Sequence, residues 1–345
     1  MKGCKFGSHR VIEPKGVLPQ PAWKIDNNME IYDNEILINV IRLNIDSASF
    51  HQIVEEVGKD EAKVADKVLS IVEQRGKMHN PVTGSGGMLI GVVEKIGSDL
   101  EGKIDLKVGD KISTLVSLSL TPLRIDKIKK VYLDQDQIDI EGKAILFESG
   151  VYAKLPDDMS ETLALSILDV AGAPAQTERL VKKGQNVFIL GAGGKSGLLC
   201  TAVAREILGD DGKIIGLVHS DRSKKTAEKL GMCDHIIQGN ATDALFVYNE
   251  VNKLTDGQMS DVVINCVNVP DTEMASILAA KDRGLVYFFS MATSFTKAAL
   301  GAEGIGYDVD MIIGNGYAHK HAQISLDVVR RNPVLREIFE EKYSK

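Results

Sequence analysis

From residue 186 onward the chain alternates short apolar runs with amphipathic stretches, and this alternation limits the fold more than any other feature. The runs are NVFILG (186–191), KIIGLV (213–218), HIIQ (235–238), DVVINC (261–266) and GLVYFF (284–289). Between them lie helix-like segments such as SGLLCTAVAREIL, SKKTAEKLG and TEMASILAAK. Apolar strands separated by helices bury both faces of a parallel sheet. The pattern predicts a doubly wound α/β domain of the Rossmann type over 159–304.

The first strand of this domain runs into ILGAGGKSG (189–197). Gly194-Lys195-Ser196 resembles the end of a P-loop, but that motif needs a glycine at 189, where Ile189 stands. A dinucleotide turn fits better. Gly191 makes the tight turn, Gly193 and Gly194 let the backbone approach a pyrophosphate, and Gly197 lets the helix pack on the strand. Lys195 and Ser196 open a helix whose N-terminus offers N–H donors and a positive dipole end. After the second strand, VHSDRSKK has no acid at the strand end to accept from a ribose 2′-hydroxyl. Ser220, Arg222 and Lys225 instead suit a 2′-phosphate, so NADP is favoured over NAD.

Residues 29–150 read as β-rich. EILINVIRLNI (35–45) alternates with period two, and GVVEKIG (91–97) and DKISTLVSL (110–118) are further strands. Residues 54–76 carry charges and apolar side chains at helical spacing, predicting one amphipathic surface helix. A helix is expected over 161–180. The tail is expected to hold a strand, DMIIG, and helices over 319–331 and 333–343, and to return to the first domain. The predicted organisation is a β-rich domain of 1–158 plus 305–345, and the Rossmann domain between.

The net charge of −7 and the lack of basic tracts argue against nucleic acid. No apolar run approaches the ~18 residues of a membrane span, and the first residues lack the apolar core of a secretory signal. A cytoplasmic location is expected. Cys4, Cys200, Cys233 and Cys266 are far apart, without zinc-knuckle spacing. They read as reduced thiols.

The segments EILINVIRLNIDSASF, GVVEKIGSDL…KVGDKI, VAGAPAQTERLVKKGQNVFILGAGGKSG and AEKLGMCDHII together resemble the medium-chain dehydrogenase/reductase superfamily. The loop resembles the Gly-x-x-Gly-x-x-Gly variant of its zinc-free quinone-reductase branch. The resemblance implies a GroES-like β-rich catalytic domain beside the Rossmann domain. Three stretches, 3–27, 76–97 and 168–180, resemble more narrowly a family of diamino-acid dehydrogenases of lysine fermentation. They imply a small diamino-acid substrate, oxidised at an amine with release of ammonia. Two other readings stay open: a zinc-free quinone or enoyl reductase, and a non-catalytic NADPH-binding structural protein.

Zinc enzymes of the superfamily place ligands where this chain has Asp46, Ser85 within Gly84-Ser85-Gly86, and Val170 beside Asp169. The resemblance therefore implies no zinc, although Asp46, His51 and Asp169 form a conceivable mixed metal set. Without zinc a side chain must move the protons. Asp46 is the first candidate, since a carboxylate also stabilises a cationic iminium. His51 is a candidate shuttle, Ser85 and Thr83 orient water or substrate, and Asp169 anchors the second ammonium. Arg10, Arg42, Lys77 and His79 are candidates for the substrate carboxylate. On the nicotinamide side the resemblance implies Asn265, Asn268, Ser290 and Thr293, with 314–321 closing on the cofactor. Cys266 is expected to be a packing thiol. DRGLVYFFSMAT (282–293) resembles the superfamily's edge strand, which implies a homodimer.

Overall fold

The computed structural model describes residues 1–314 and 316–343. The chain divides into two compact units, Met1–Pro156 and Asp157–Lys345.

The first unit opens with a 3-10 turn at Ser8–Arg10. It continues through β1 (Val11–Glu13), β2 (Lys24–Ile25), β3 (Glu35–Asn44), α1 (Ser47–Val57), α2 (Glu61–Arg75) and β4 (Met88–Ile96). Then come β5 (Lys111–Thr114), β6 (Leu123–Tyr132), β7 (Gln137–Phe147) and β8 (Tyr152–Lys154). Six strands form an antiparallel sheet in the order β6-β7-β3-β4-β5-β8. Its core joins Ile38, Val40 and Leu89 of the strands to Phe50 and Ile53 of α1 and Val64 and Val68 of α2.

The single helix expected over 54–76 is instead two. Gly58 ends α1 with φ +86°, and the Asp60 side chain accepts from the N–H groups of Ala62 and Lys63 to start α2. The charged periodicity ran through both and hid the break. The α2 face that packs inward, Val64, Val68, Ile71 and Val72, has the expected spacing.

Three cations expected to greet a carboxylate are spent on structure. Arg10 is 1% exposed and bonds Glu35 through Nε and Nη2, each at 2.7 Å. Its Nη1 and Nη2 also reach the carbonyls of Asn28 and Glu30. Arg42 bonds Asp139 at 2.5 and 3.1 Å. Lys77 is fully buried, donating from Nζ to the carbonyls of Pro19 (2.6 Å) and Gln20 (2.9 Å). An extended loop has unpaired carbonyls, and Arg10 and Lys77 satisfy them, while Arg42 pairs with a carboxylate.

The second unit runs α3 (Glu161–Leu168), α4 (Gly172–Leu180), β9 (Asn186–Leu190), α5 (Lys195–Leu208), β10 (Lys213–Val218), α6 (Asp221–Leu230) and β11 (His235–Gln238). It continues as α7 (Ala244–Leu254), β12 (Ser260–Asn265), α8 (Glu273–Ala279), β13 (Ala280–Phe288), α9 (Phe295–Ile305), β14 (Asp310–Ile313), α10 (His321–Arg331) and α11 (Pro333–Tyr343). Its strands form a parallel sheet in the order β11-β10-β9-β12-β13-β14. The order reverses beside β9, which places the glycine turn at the switch point where such sheets bind ligands. The helix expected over 161–180 is α3 and α4, broken at 169–171.

The tail, expected with the first domain, clusters with the second unit. β14 pairs with β13, and α10 and α11 pack on helices of the Rossmann unit. Leu335, Ile338 and Phe339 of α11 are buried, and Arg330 and Arg331 pair with Asp158 and Glu206. An amphipathic helix declares that it needs a partner, not which one. It follows that DRGLVYFF is an inner strand; the sheet edge is β14.

Candidate active site

In the first unit, Asp46 ends the turn after β3 and N-caps α1: its Oδ1 accepts from the Ser49 N–H at 3.1 Å. Its Oδ2 accepts from the Ser85 hydroxyl at 2.7 Å. The Ser85 Oγ lies 2.8 Å from the Ser49 Oγ, which lies 2.5 Å from the Thr83 Oγ1. Thr83 and Ser85 are 3.2 Å apart. The structure thus joins three residues singled out from sequence, Asp46 to Ser85 and Ser85 to Thr83, and adds one that was missed, Ser49, bonded to both hydroxyls. An Asp followed three residues later by Ser at a helix start is a capping signal, and it marked the spot.

The loop carrying Thr83 and Ser85 is held from below. Asn80 Oδ1 accepts from the N–H groups of Val82 and Thr83, and its Nδ2 donates to the Ser49 carbonyl and to Gln52. Gly87 has φ +101°, and a Cβ there would lie 2.0 Å from the Asn44 carbonyl oxygen. Only glycine lets this loop press against the end of β3. Beside it, burial pushes the His79 imidazole down to about 4, helped by Lys77 and Arg75. Its Nδ1 is buried without a partner.

His51 does not join this cluster. It is exposed, and its Nε2 lies 4.0 Å from Asp136 across a groove of about 690 Å³ lined also by Lys59 and Tyr132. Asp169, in the second unit, accepts from Lys195 Nζ at 2.8 Å.

The donor set at Asp46 does not fit zinc. Zinc sites take thiolate, imidazole or carboxylate, whereas Asp46 is surrounded by neutral hydroxyls. Among the described residues no three His, Cys, Asp or Glu side chains gather as a metal site.

In the second unit a cavity of about 660 Å³ opens at the glycine turn. Gly191, Gly193, Gly194, His219, Ser220, Ser223, Asn240 and Val267 are among its lining residues. Gly194 N-caps α5 with no side chain in the way, and a Cβ there would meet only the Gly191 oxygen at 3.4 Å. The cavity and the bare helix N-terminus fit a dinucleotide. Gly197 packs as expected, since a Cβ would lie 2.1 Å from the Gly191 oxygen. Gly193 differs: it makes room for α6, where a Cβ would strike the Ser223 carbonyl at 2.3 Å. The turn after β11, Gly239–Thr242, also lines the cavity and was missed. Its signal was a Gly-Asn at the C-terminal end of a parallel strand.

Of the other expected cofactor groups, Ser220 also lines this cavity, whereas several lie elsewhere. Arg222 and Lys225 line a separate cavity with Lys229, Ile338 and Lys342. Ser220 caps α6 in a capping box with Ser223. Lys195 reaches Asp169 and the Tyr343 ring. Asn265 is fully buried, donating to Thr272 and Ser276 and accepting from the Val267 N–H. Its amide ties β12 to α8, leaving no group for a cofactor. Asn268 is exposed on the loop after β12. Ser290 accepts from the Ala292 N–H, and Thr293 Oγ1 is buried without a partner. The Cys266 Sγ lies 4.0 Å from Cys200, and that thiol together with burial holds Cys266 well above its ordinary value. Within 314–321, Asn315 lies outside the described residues.

An antiparallel unit followed by a Rossmann unit with this strand order is the architecture of the medium-chain dehydrogenases/reductases. Residues 197–316 match the family described as zinc-binding dehydrogenase. A solved 2-haloacrylate reductase is similar with a TM-score of 0.56 and 18% identity, covering 91% of this chain and 88% of its own. A quinone oxidoreductase of Pseudomonas syringae gives 0.53 and 20%, covering 93% and 83%.

Residues 9–156 match the L-erythro-3,5-diaminohexanoate dehydrogenase N-terminal domain. A protein of that name from Acetoanaerobium sticklandii is 62% identical over 99% of this chain and 100% of its own length. Another from Fusobacterium nucleatum is 61% identical over 99% of each. The chain belongs to the L-erythro-3,5-diaminohexanoate dehydrogenase family.

Proposed function

We propose that the chain oxidises L-erythro-3,5-diaminohexanoate to 5-amino-3-oxohexanoate and ammonia, using NAD, in lysine fermentation. The observation that carries the substrate is the identity of 62% over 99% of the chain to a relative of that name. The chemistry needs an ammonium to lose a proton, a hydride to leave C3, and water to add to the resulting iminium. A nicotinamide cofactor held at the glycine turn would supply the hydride acceptor. Asp46 takes the proton and, once it has passed that proton on, its regained negative charge favours the cationic iminium. Ser85, bonded to Asp46, holds that carboxylate in one orientation.

The choice of NAD departs from the sequence expectation of NADP. No Lys, Arg, Asp or Glu is among the residues lining the glycine cavity, while Arg222 and Lys225 line another. A 2′-phosphate without a cation loses its charge-assisted hydrogen bonds, whereas a 2′-hydroxyl is satisfied by Ser220. The same reading places the enzyme in the cytoplasm as a homodimer. No helix among the described residues is long and apolar enough to cross a membrane.

Reduced-nicotinamide absorbance with the diamino acid is the test. Turnover with NAD at a higher kcat/KM than with NADP is expected. Absence of turnover with either cofactor by folded protein overturns the activity, and a preference for NADP overturns the cofactor assignment. Asp46→Asn is expected to lower kcat by about a hundredfold or more, the contribution of a positioned proton-transfer group. Unchanged turnover in that variant removes Asp46 from the role.

A further inference from the structure

We propose that Ser49 and Thr83, with Ser85, form a proton relay that carries the proton from Asp46 out to solvent. This rests on the activity proposed above. The observation is a continuous chain of hydroxyls leading away from a carboxylate. Asp46 Oδ2 is 2.7 Å from Ser85, Ser85 is 2.8 Å from Ser49, and Ser49 is 2.5 Å from Thr83. Ser49 is fully buried, whereas Thr83 is exposed. Ser85 also lies 3.2 Å from Thr83 directly, so two branches leave it, one through buried Ser49 and one straight to Thr83, and both reach water at Thr83.

The loop has supports besides the hydroxyls. Asn80 bonds the backbone of Val82, Thr83 and Ser49, and Gly87 sets the close approach to β3. The cap of α1 uses the Ser49 N–H, not its hydroxyl. Each hydroxyl both donates and accepts, so the chain runs in either direction with the heavy atoms in place.

Oxidative deamination requires such an exit. The ammonium substrate, oxidised nicotinamide and water give ketone, ammonium, reduced nicotinamide and one net proton. At rest Thr83 donates to Ser49, Ser49 to Ser85 and Ser85 to Asp46. When Asp46 has taken the substrate proton, it donates to Ser85. Ser85 then passes its own hydrogen to Thr83, directly or by way of Ser49, and Thr83 passes its own to water. Each O–H bond broken is replaced by one formed, and Asp46 returns to carboxylate. His51, turned toward Asp136, has no part in this route.

The test compares Ser49→Ala and Thr83→Val with the wild-type enzyme. Thr83→Val, which removes the outlet of both branches, is expected to lower kcat by about a hundredfold, and Ser49→Ala by about tenfold, because the direct Ser85–Thr83 contact remains; KM is little changed in both. Two readouts separate a relay from a merely structural role. Imidazole buffer should restore kcat in each variant in proportion to its free base. The solvent deuterium effect on kcat should vary with deuterium fraction along a curve in the wild type and along a straight line in Thr83→Val. Thr83→Ser should keep wild-type behaviour. If Ser49→Ala and Thr83→Val turn over within twofold of wild type with its isotope dependence, the relay is overturned and the activity stands. Loss of kcat without imidazole rescue likewise overturns it. A wild-type enzyme that does not oxidise the diamino acid removes the activity and the relay together.

Discussion

Adjacent glycines in the nucleotide turn do different work. Gly193 faces the Ser223 carbonyl, and a Cβ would intrude to 2.3 Å of backbone that cannot swing aside. At Gly194 a Cβ would meet only the Gly191 oxygen, at 3.4 Å, an ordinary contact. Gly193→Ala is therefore expected to destabilise the Rossmann unit by about 1–3 kcal/mol, as overpacking does. Gly194→Ala should leave the melting temperature unchanged and raise KM for the nicotinamide cofactor. Thermal melts of both variants, with cofactor titrations, check the contrast; equal melting temperatures would remove it. At the same scale, Lys77 and His79 leave separate marks on stability. Burial lowers Lys77 to about 7 and His79 to about 4. In the unfolded chain they titrate near 10.5 and 6.5. Wherever the unfolded state binds more protons, stability rises with pH. Stability should thus climb from pH 4 to 6.5 through His79, and from 7 to 10.5 through Lys77. Denaturant midpoints across pH should show His79→Gln flattening only the lower window and Lys77→Met only the upper.

Among the elements, α11 shows what a pattern of side chains tells and what it omits. Its amphipathic spacing marked a helix over 333–343, which is where it lies. Its spacing does not name a partner, because Leu335, Ile338 and Phe339 would suit any apolar surface; here α11 packs on α3, α5 and α6. The break between α1 and α2 was missed although Gly58 and Asp60 are both ordinary terminal signals. The charged run on either side kept the same periodicity. The Asp46 cluster was half legible. Asp46, Thr83 and Ser85 stood out by position, but Ser49 meets Thr83 across 34 residues of sequence. Only the folded loop brings them together. Arg10, Lys77 and Asn265 looked like binding groups because local sequence does not reveal which carbonyls and side chains a distant loop leaves to satisfy. The position of α11 yields its own prediction. Phe339 is fully buried, so Phe339→Ala should cost about 3–5 kcal/mol. The loss should fall on the Rossmann unit. Hydrogen exchange should rise in β9 to β14 while β3, β4 and β7 stay protected; uniform loss of protection would return the tail to the first unit.

For the whole molecule, the relevant surface is the edge of the parallel sheet. β14 closes the strand order, so one side of it pairs with β13 and the other has no strand neighbour among the described residues. Ile313 is 59% exposed, and nearby Met291 and Phe295 are 76% and 68% exposed. A bare edge with apolar side chains is an invitation to pair, and a second copy of the same edge satisfies it about a two-fold axis. Homodimerisation was expected from sequence, but through the segment 282–293, which is covered by β14. The relevant variant is therefore Ile313→Lys. Its side chain points away from the core, so melting of the separated chain should be little altered. A buried, unpaired cation at a symmetric contact appears twice, which makes the substitution severe for association. In sedimentation, wild-type protein should run at the mass of two chains and Ile313→Lys at the mass of one. A control cation at Arg283→Lys, on the inner strand, should leave the dimer intact. Wild-type protein at the mass of one chain, or an Ile313→Lys variant that stays paired, would place the contact elsewhere or remove it.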